Sequence, residues 1–286
     1  MFDAAAERIR GLIARLRPGR EGGTEGPVPV ARKVDPAVLR DLGLHRQPFN
    51  DHAGAEDLFV DDAIEMQVNM LTEQLRTGEM LPLLKGEQGS GKTSLLILVM
   101  GRSSDEFHYF VARGAAGLRA EQVIVDMLRL LVRPVPETPR ECFRELARRL
   151  RRLVADGRPA VLVVDDADAI SDDQLNNLLA AHDSLRGALG GGFRLLLAAR
   201  SAIELRLPGL SSAQLRSGHV FASDVRPLTP PRIAPFLQQR LAAAGLDGEA
   251  PFDERALERI ARRGDSLPRS IEAAAAAELN ALPRER

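Results

Sequence analysis

The residues of this chain that could do chemistry begin at Gly86. Gly86, Gly91, Lys92 and Thr93 fill the spacing G-x-x-x-x-G-K-[ST], with Gly89 as an additional glycine and Glu87, Gln88 and Ser90 between them. Glycines let successive backbone N–H groups turn inward around an anion, and a helix opening at this point adds its positive end. Lys92 can reach β- and γ-phosphates, the Thr93 hydroxyl can ligate Mg²⁺, and Ser94 follows directly. Only three of the 39 basic residues are lysines (Lys33, Lys85, Lys92), so a lysine here is not expected by chance. A flexible Gly/Ser connection is the bland alternative. It does not explain why an apolar run precedes the loop and a helical pattern follows it, which is the context the motif requires. The stretch reads as a nucleotide-phosphate site.

A second constellation follows the apolar run Ala160–Val164. Asp165 and Asp166 stand at its carboxyl end, where ligands bind in open α/β sheets. Asp165 is suited to hold Mg²⁺, directly or through water, beside Thr93. Asp166 is suited to orient or deprotonate an attacking water. Asp168, Asp172 and Asp173 are explained by a polar loop and the first turn of a helix.

Stepping from these groups to what must carry them, Leu81–Lys85 is a short apolar run entering the phosphate loop, and a helix runs on from the loop through Met100. Strands are expected at Phe107–Val111, Ala160–Val164, Phe193–Ala199 and His219–Val225, with helices near 120–132 and 139–154 and a Ser171-capped helix to about Leu189. Uninterrupted β-branched and leucine runs belong to parallel strands buried on both faces. The expected fold class is therefore α/β, a three-layer P-loop domain around a five-stranded parallel sheet. Ahead of it lie a short helix opened by Asp35 and Pro36 and a helix over about 61–76. From Arg226 onward only helices are expected, near 229–244, 253–263 and 266–282, forming a small all-α lid. The chain thus divides into 1–34, 35–225 and 226–286.

Residues 1–17 put Phe2, Ile9, Leu12, Ile13 and Leu16 on one helical stripe, with Arg8, Arg10, Arg15 and Arg17 mostly opposite. A Gly/Pro/Glu-rich linker follows. The stripe suits peripheral membrane contact or a docking partner, and equally a helix laid on its own domain. Arg148, Arg149, Arg151 and Arg152 form a cluster that is either a nucleic-acid patch or a solvated helix face beside compensating acids. A net charge of −1 offers no global pull toward nucleic acid, which is not an expected partner. The single cysteine, Cys142, excludes an internal disulfide, and the five histidines show no metal-ligand spacing. Without an apolar run of about 18 residues or an apolar signal core, the expected place is the cytoplasm, peripheral to the inner membrane if residues 1–17 bind it.

Taken together, the phosphate loop, the strand ending in Asp165 and Asp166, the polar end of the fourth strand and the lid resemble the AAA+ ATPases. Gly43, Leu44, Pro48 and Phe49 ahead of the loop, Leu197–Arg200, and Leu267, Pro268 and Arg269 in the lid narrow the resemblance. They look like the bacterial general secretion pathway protein A type, whose relatives include ATPases tied to envelope assembly, SPOR-domain cell-division proteins and transposition helper ATPases. The resemblance spans about Leu42–Leu282. It implies ATP as the nucleotide, with Gly86–Thr93 on its phosphates and Mg²⁺ on Asp165, bound between the α/β domain and the lid. Asp166 stands where the family more often has glutamate, one methylene longer, which bears on rate because the water must be held within about 3 Å of the carboxylate. Arg200 aligns with a sensor position that is usually an amide, and an arginine there can contact the γ-phosphate but cannot accept a proton. Arg269 matches the lid sensor arginine. Arg216 is the candidate arginine finger toward a neighbouring subunit, with Arg206 as runner-up. Pro48 and Phe49 suit either a contact near the adenine or a plain apolar anchor.

The function this implies is Mg²⁺-dependent ATP hydrolysis that moves the lid in a nucleotide-dependent homo-oligomer, serving a cell-envelope or secretion-related assembly. Two alternatives stay open. One is a nucleotide-dependent switch with weak turnover, which Asp166 and Arg200 favour. The other is a DNA-transaction helper of the transposition kind.

Overall fold

The computed structural model describes residues 11, 32–49, 58–210 and 212–282 of the 286-residue chain. The stripe at residues 1–17 otherwise lies outside the described residues. Five strands form one sheet: β1 Leu81–Lys85, β2 His108–Arg113, β3 Ala160–Asp165, β4 Phe193–Ala199 and β5 Val220–Asp224. Their spatial order is β2-β3-β4-β1-β5, and every pairing is parallel. Leu83 of β1 pairs with Leu197 of β4, and Leu197 with Val164 of β3. The carboxyl ends of the three central strands therefore share one edge of the sheet.

Sequence explains the order of burial. Every residue of β1 and β3 is buried, matching unbroken apolar runs covered on both faces. β2 and β5 take the edges and are only partly buried, matching their mixed composition. The helices are α1 Pro36–Asp41, α2 Asp62–Thr77, α3 Lys92–Arg102, α4 Ala120–Arg129, α5 Pro139–Leu153, α6 Asp172–Ala188, α7 Ala213–Arg216, α8 Pro230–Ala243, α9 Glu254–Arg263 and α10 Pro268–Asn280. Among the described residues no helix is long and apolar enough to cross a membrane.

The chain forms two compact units. One holds Glu65–Glu87 and Leu95–Asp224. Its core packs Leu162, Val164, Leu195 and Leu197 of the sheet against Val123, Met127, Leu146, Leu175 and Leu179 of the helices. Here the arginine cluster is a solvated face: Arg148 and Arg149 both pair with Glu145 at 2.5–2.7 Å, and Arg151 donates to the Ala188 carbonyl. The other unit holds residues 32–49, 58–64, Gln88–Ser94 and 225–282. Its apolar cluster joins Val34, Val38, Leu44 and Phe49 to Leu228, Ile233, Phe236, Leu237, Ile260 and Ile271. Phe49 is 1% exposed and anchors this cluster. Residues 32–35 are fastened to α10 at two places, by Arg32 to Glu272 (2.8 Å) and by Asn280 to the backbone of Lys33 and Asp35.

Three local expectations are corrected. β2 runs to Arg113 instead of Val111, because its parallel register with β3 continues through Ala112–Val164 and Arg113–Asp165. Short 3₁₀ turns at Ser201–Leu205 and Leu207–Gly209 and helix α7 fill what reads as plain connection. Ser171 occupies the position before α6, yet its hydroxyl makes no capping bond. Real side-chain caps sit instead at Thr138 and Asp253, which accept from the N–H groups of Glu141 and Ala256.

Candidate functional site

β1 delivers the chain to the sheet edge, and Gly86 stays attached to it by donating its N–H to the Ala199 carbonyl of β4 (3.2 Å). The loop then turns through two positions that L side chains rarely adopt, Gly89 at φ +83° and Gly91 at φ +101°. Gly89 is required for a second reason. A Cβ there would lie 2.9 Å from the Arg269 Cβ, and the Gly89 carbonyl accepts the Arg269 N–H at 3.3 Å. The start of α10 thus closes directly onto the loop. Lys92 and Thr93 open α3, and Lys92 is 7% exposed. Glu87 and Gln88 point to solvent, while Thr93 and Ser94 are half-buried. The Ser90 hydroxyl is buried and has no hydrogen-bond partner among the described residues. Buried hydroxyls rarely stay unsatisfied, so an unpartnered one inside a glycine-turned loop fits an anionic ligand that would accept from it.

Two strands away, about 10 Å across the sheet by strand spacing, β3 ends in Asp165. This carboxylate is 1% exposed and accepts the Asp166 N–H at 3.0 Å. Its oxygen donors suit a hard divalent cation such as Mg²⁺. Asp166 is one of three non-glycine residues with positive φ among the described residues, at +53°. That turn brings its backbone so close to β2 that a Cβ at residue 114 would strike the Asp166 carbonyl, which is why Gly114 stands there. The Gly114 N–H donates to the Asp165 carbonyl at 2.7 Å. The same approach places Arg113, the last residue of β2, against Asp166, with Nε and Nη2 each 3.0 Å from Oδ2. Arg113 lies two residues beyond the Val111 end that composition gives β2, and only the register with β3 brings it to Asp166.

The third strand end is β4, and its exit is pinned to the loop after β3. Arg200 donates its backbone N–H to Asp168 Oδ1 (2.9 Å) and its Nε to Oδ2 (2.5 Å). Burial alone would raise the Asp168 carboxyl, but the hydrogen bonds and charge of Arg200 outweigh it and hold the group below the usual carboxylate range. The Arg206 guanidinium is engaged within its own chain, by Asp172 at 2.6 Å and by the carbonyls of Asp168 and Ile170 at 2.7 and 2.5 Å. Arg216 ends α7 with its side chain exposed, and the Arg269 side chain is exposed as well.

The expected site residues therefore fall into two groups, assembled within the two units. Asp165, Asp166 and Arg200 gather at the carboxyl edge of the sheet, with Arg113 added. Arg269 reaches the phosphate loop through its backbone. Arg216 stands apart from these.

Residues 75–207 match the family model described as the AAA domain. No curated protein sequence matches the chain. Among solved structures, Cdc6p from Pyrobaculum aerophilum is similar at 19% identity over 80% of this chain and 62% of that one, with a TM-score of 0.62. A Walker-type ATPase of Pyrococcus abyssi gives 18% identity, 82% and 72% coverage and a TM-score of 0.60. The ORC2 protein of Aeropyrum pernix, in ADPNP-ADP complexes, gives 16%, 84% and 73%, and 0.55. The matched region spans less than two thirds of the Cdc6p chain. A loop turned by two left-handed glycines, an acid at the end of the central strand β3 and the parallel order of the sheet agree with these likenesses: residues 75–207 are similar to the AAA domain, and the chain has the α/β P-loop fold that these structures share.

Proposed function

We propose that this chain binds ATP with Mg²⁺ and hydrolyses it to drive a change in how it contacts a partner. The buried, unpartnered Ser90 hydroxyl within the turned loop Gly86–Thr93 is the observation that carries the reading. In it, backbone N–H groups of Gly89–Thr93 and the Lys92 ammonium hold the phosphates. Thr93 and Asp165 would hold Mg²⁺, which when bound neutralises charge on the phosphate oxygens. Asp166 receives the proton of the attacking water, and Arg200 and Arg269 respond to the terminal phosphate. Isothermal titration with ATP and ADP tests this: Lys92→Ala should lose binding by at least about 100-fold, and wild type without measurable affinity would end the reading.

A second reading, a switch with little turnover, draws on two contacts. Asp166 is already paired with Arg113, and Arg200 with Asp168. Phosphate release separates the two: turnover that disappears in Lys92→Ala and Asp166→Ala excludes the passive switch.

The envelope or secretion role rests on Gly43–Phe49, Leu197–Arg200 and Leu267–Arg269 alone. Flotation with liposomes, with and without residues 1–20, tests the membrane part of it. Aeropyrum pernix ORC1 has been solved in complex with DNA. A steep fall of DNA affinity with salt would favour a nucleic-acid partner here, and its absence would leave a protein partner.

A further inference from the structure

One of the chain's three lysines is buried at the root of the phosphate loop. Lys85 ends β1, one residue before Gly86, with its side chain 8% exposed. Its Nζ lies 2.5 Å from Glu204 Oε1 and 3.4 Å from Asp224 Oδ2. These carboxylates raise its pKa above the usual lysine value against the opposing effect of burial. Asp224 is its cross-strand partner at the end of β5, whose backbone is held in turn by Gln67. Glu204 belongs to the turn Ser201–Leu205 that leaves β4.

Stability does not demand this arrangement. β1 is otherwise apolar and fully buried, and the carboxylates that face Lys85 are themselves exposed, where ion pairs contribute little. What the pair does provide is connection. The turn 200–206 carries three ionic ties: Arg200 to Asp168, Arg206 to Asp172, and Glu204 to Lys85. The first binds it to the loop after Asp165 and Asp166, the second to the first residue of α6, and the third to the residue entering the phosphate loop. The Gly86 N–H to Ala199 carbonyl bond runs alongside. At the tip of this turn Leu205 is 87% exposed.

We propose that Lys85 is a positioning residue that couples the phosphate loop to the turn 200–206 through Glu204, so that the turn distinguishes a nucleotide with a terminal phosphate from one without. This rests on the nucleotide assignment above. Lys85 touches no phosphate in this scheme. It makes a shift of the loop's first residues a shift of the segment that carries Arg200 and presents Leu205.

The test is hydrogen exchange of residues 200–210 in the full chain, with ADP and with a non-hydrolysable ATP analogue, both at saturation fixed by titration. Wild type should show protection differing roughly threefold between the two nucleotides, the size an ion pair with one exposed partner can transmit. Glu204→Gln, at an exposed carboxylate, should keep both affinities and its melting temperature yet lose the difference. Lys85→Arg should retain it. A difference that survives in Glu204→Gln, or one missing from wild type, overturns the coupling. Wild type that binds neither nucleotide overturns the nucleotide assignment itself, and the coupling with it.

Discussion

Asp166 shows how one side chain can be both well placed and restrained. It follows the metal-suited Asp165, yet Arg113 donates its Nε–H to Asp166 Oδ2 and holds Nη2 3.0 Å from the same oxygen. An oxygen held by a guanidinium must give up that contact before it can take a proton from water. Both partners are more than a third exposed, so the pair is worth at most about 1 kcal/mol. Arg113→Ala is therefore expected to raise basal phosphate release by roughly two- to fivefold, and Asp166→Ala to abolish it. Unchanged release in Arg113→Ala would show that the pair does not restrain the acid. His182 makes a different prediction. It is 2% exposed, and burial brings its pKa down to about 4 from 6.5 despite the nearby Asp183. The unfolded chain binds the proton first as pH falls, so stability should decline between about pH 6.5 and 4, by a few kcal/mol in all. Urea melts at pH 7 and 5 should show that decline in wild type and a smaller one in His182→Leu.

At the scale of elements, the close approach of β2's exit to the turn at Asp166 decides the shape of the acidic end. Gly114 is the residue that allows it, since a Cβ would meet main-chain atoms that cannot rotate away. Gly114→Ala should cost about 2 kcal/mol or more of stability and reduce turnover through displacement of Asp166; a melting temperature equal to wild type would contradict the packing described. Elements also differ in how readable they are. β1 and β4 lie where the apolar runs place them, because strands covered on both faces are dominated by apolar side chains, with only Lys85 and Arg194 near their ends. β2 is an edge strand that closes on Ala112 and Arg113, where composition carries no signal and only its ladder with β3 sets the end. The turns between β4 and α7 have no periodicity to read, and side-chain ties hold them.

For the whole molecule, assembly is the remaining test. Arg206 engages its guanidinium within its own chain, and Arg216 ends α7 with an exposed side chain. If Arg216 serves a neighbouring subunit, Arg216→Ala should leave ADP affinity intact while lowering turnover by 10³-fold or about that and removing ATP-dependent assembly in sedimentation. Unchanged assembly and turnover would withdraw the assignment.

Sequence alone determined the phosphate loop, the acid at the end of β3, the parallel sheet and the helical tail. Each of these is written in neighbouring residues, through glycine conformational freedom, apolar runs or helical spacing. Tertiary structure decided who holds whom. Arg113 on Asp166, Arg200 on Asp168, Glu204 on Lys85 and the backbone of Arg269 on Gly89 join groups that are distant along the chain and meet only once the strands have taken their order. Such contacts have no local signature, because the energy that selects them comes from burial and register across the sheet.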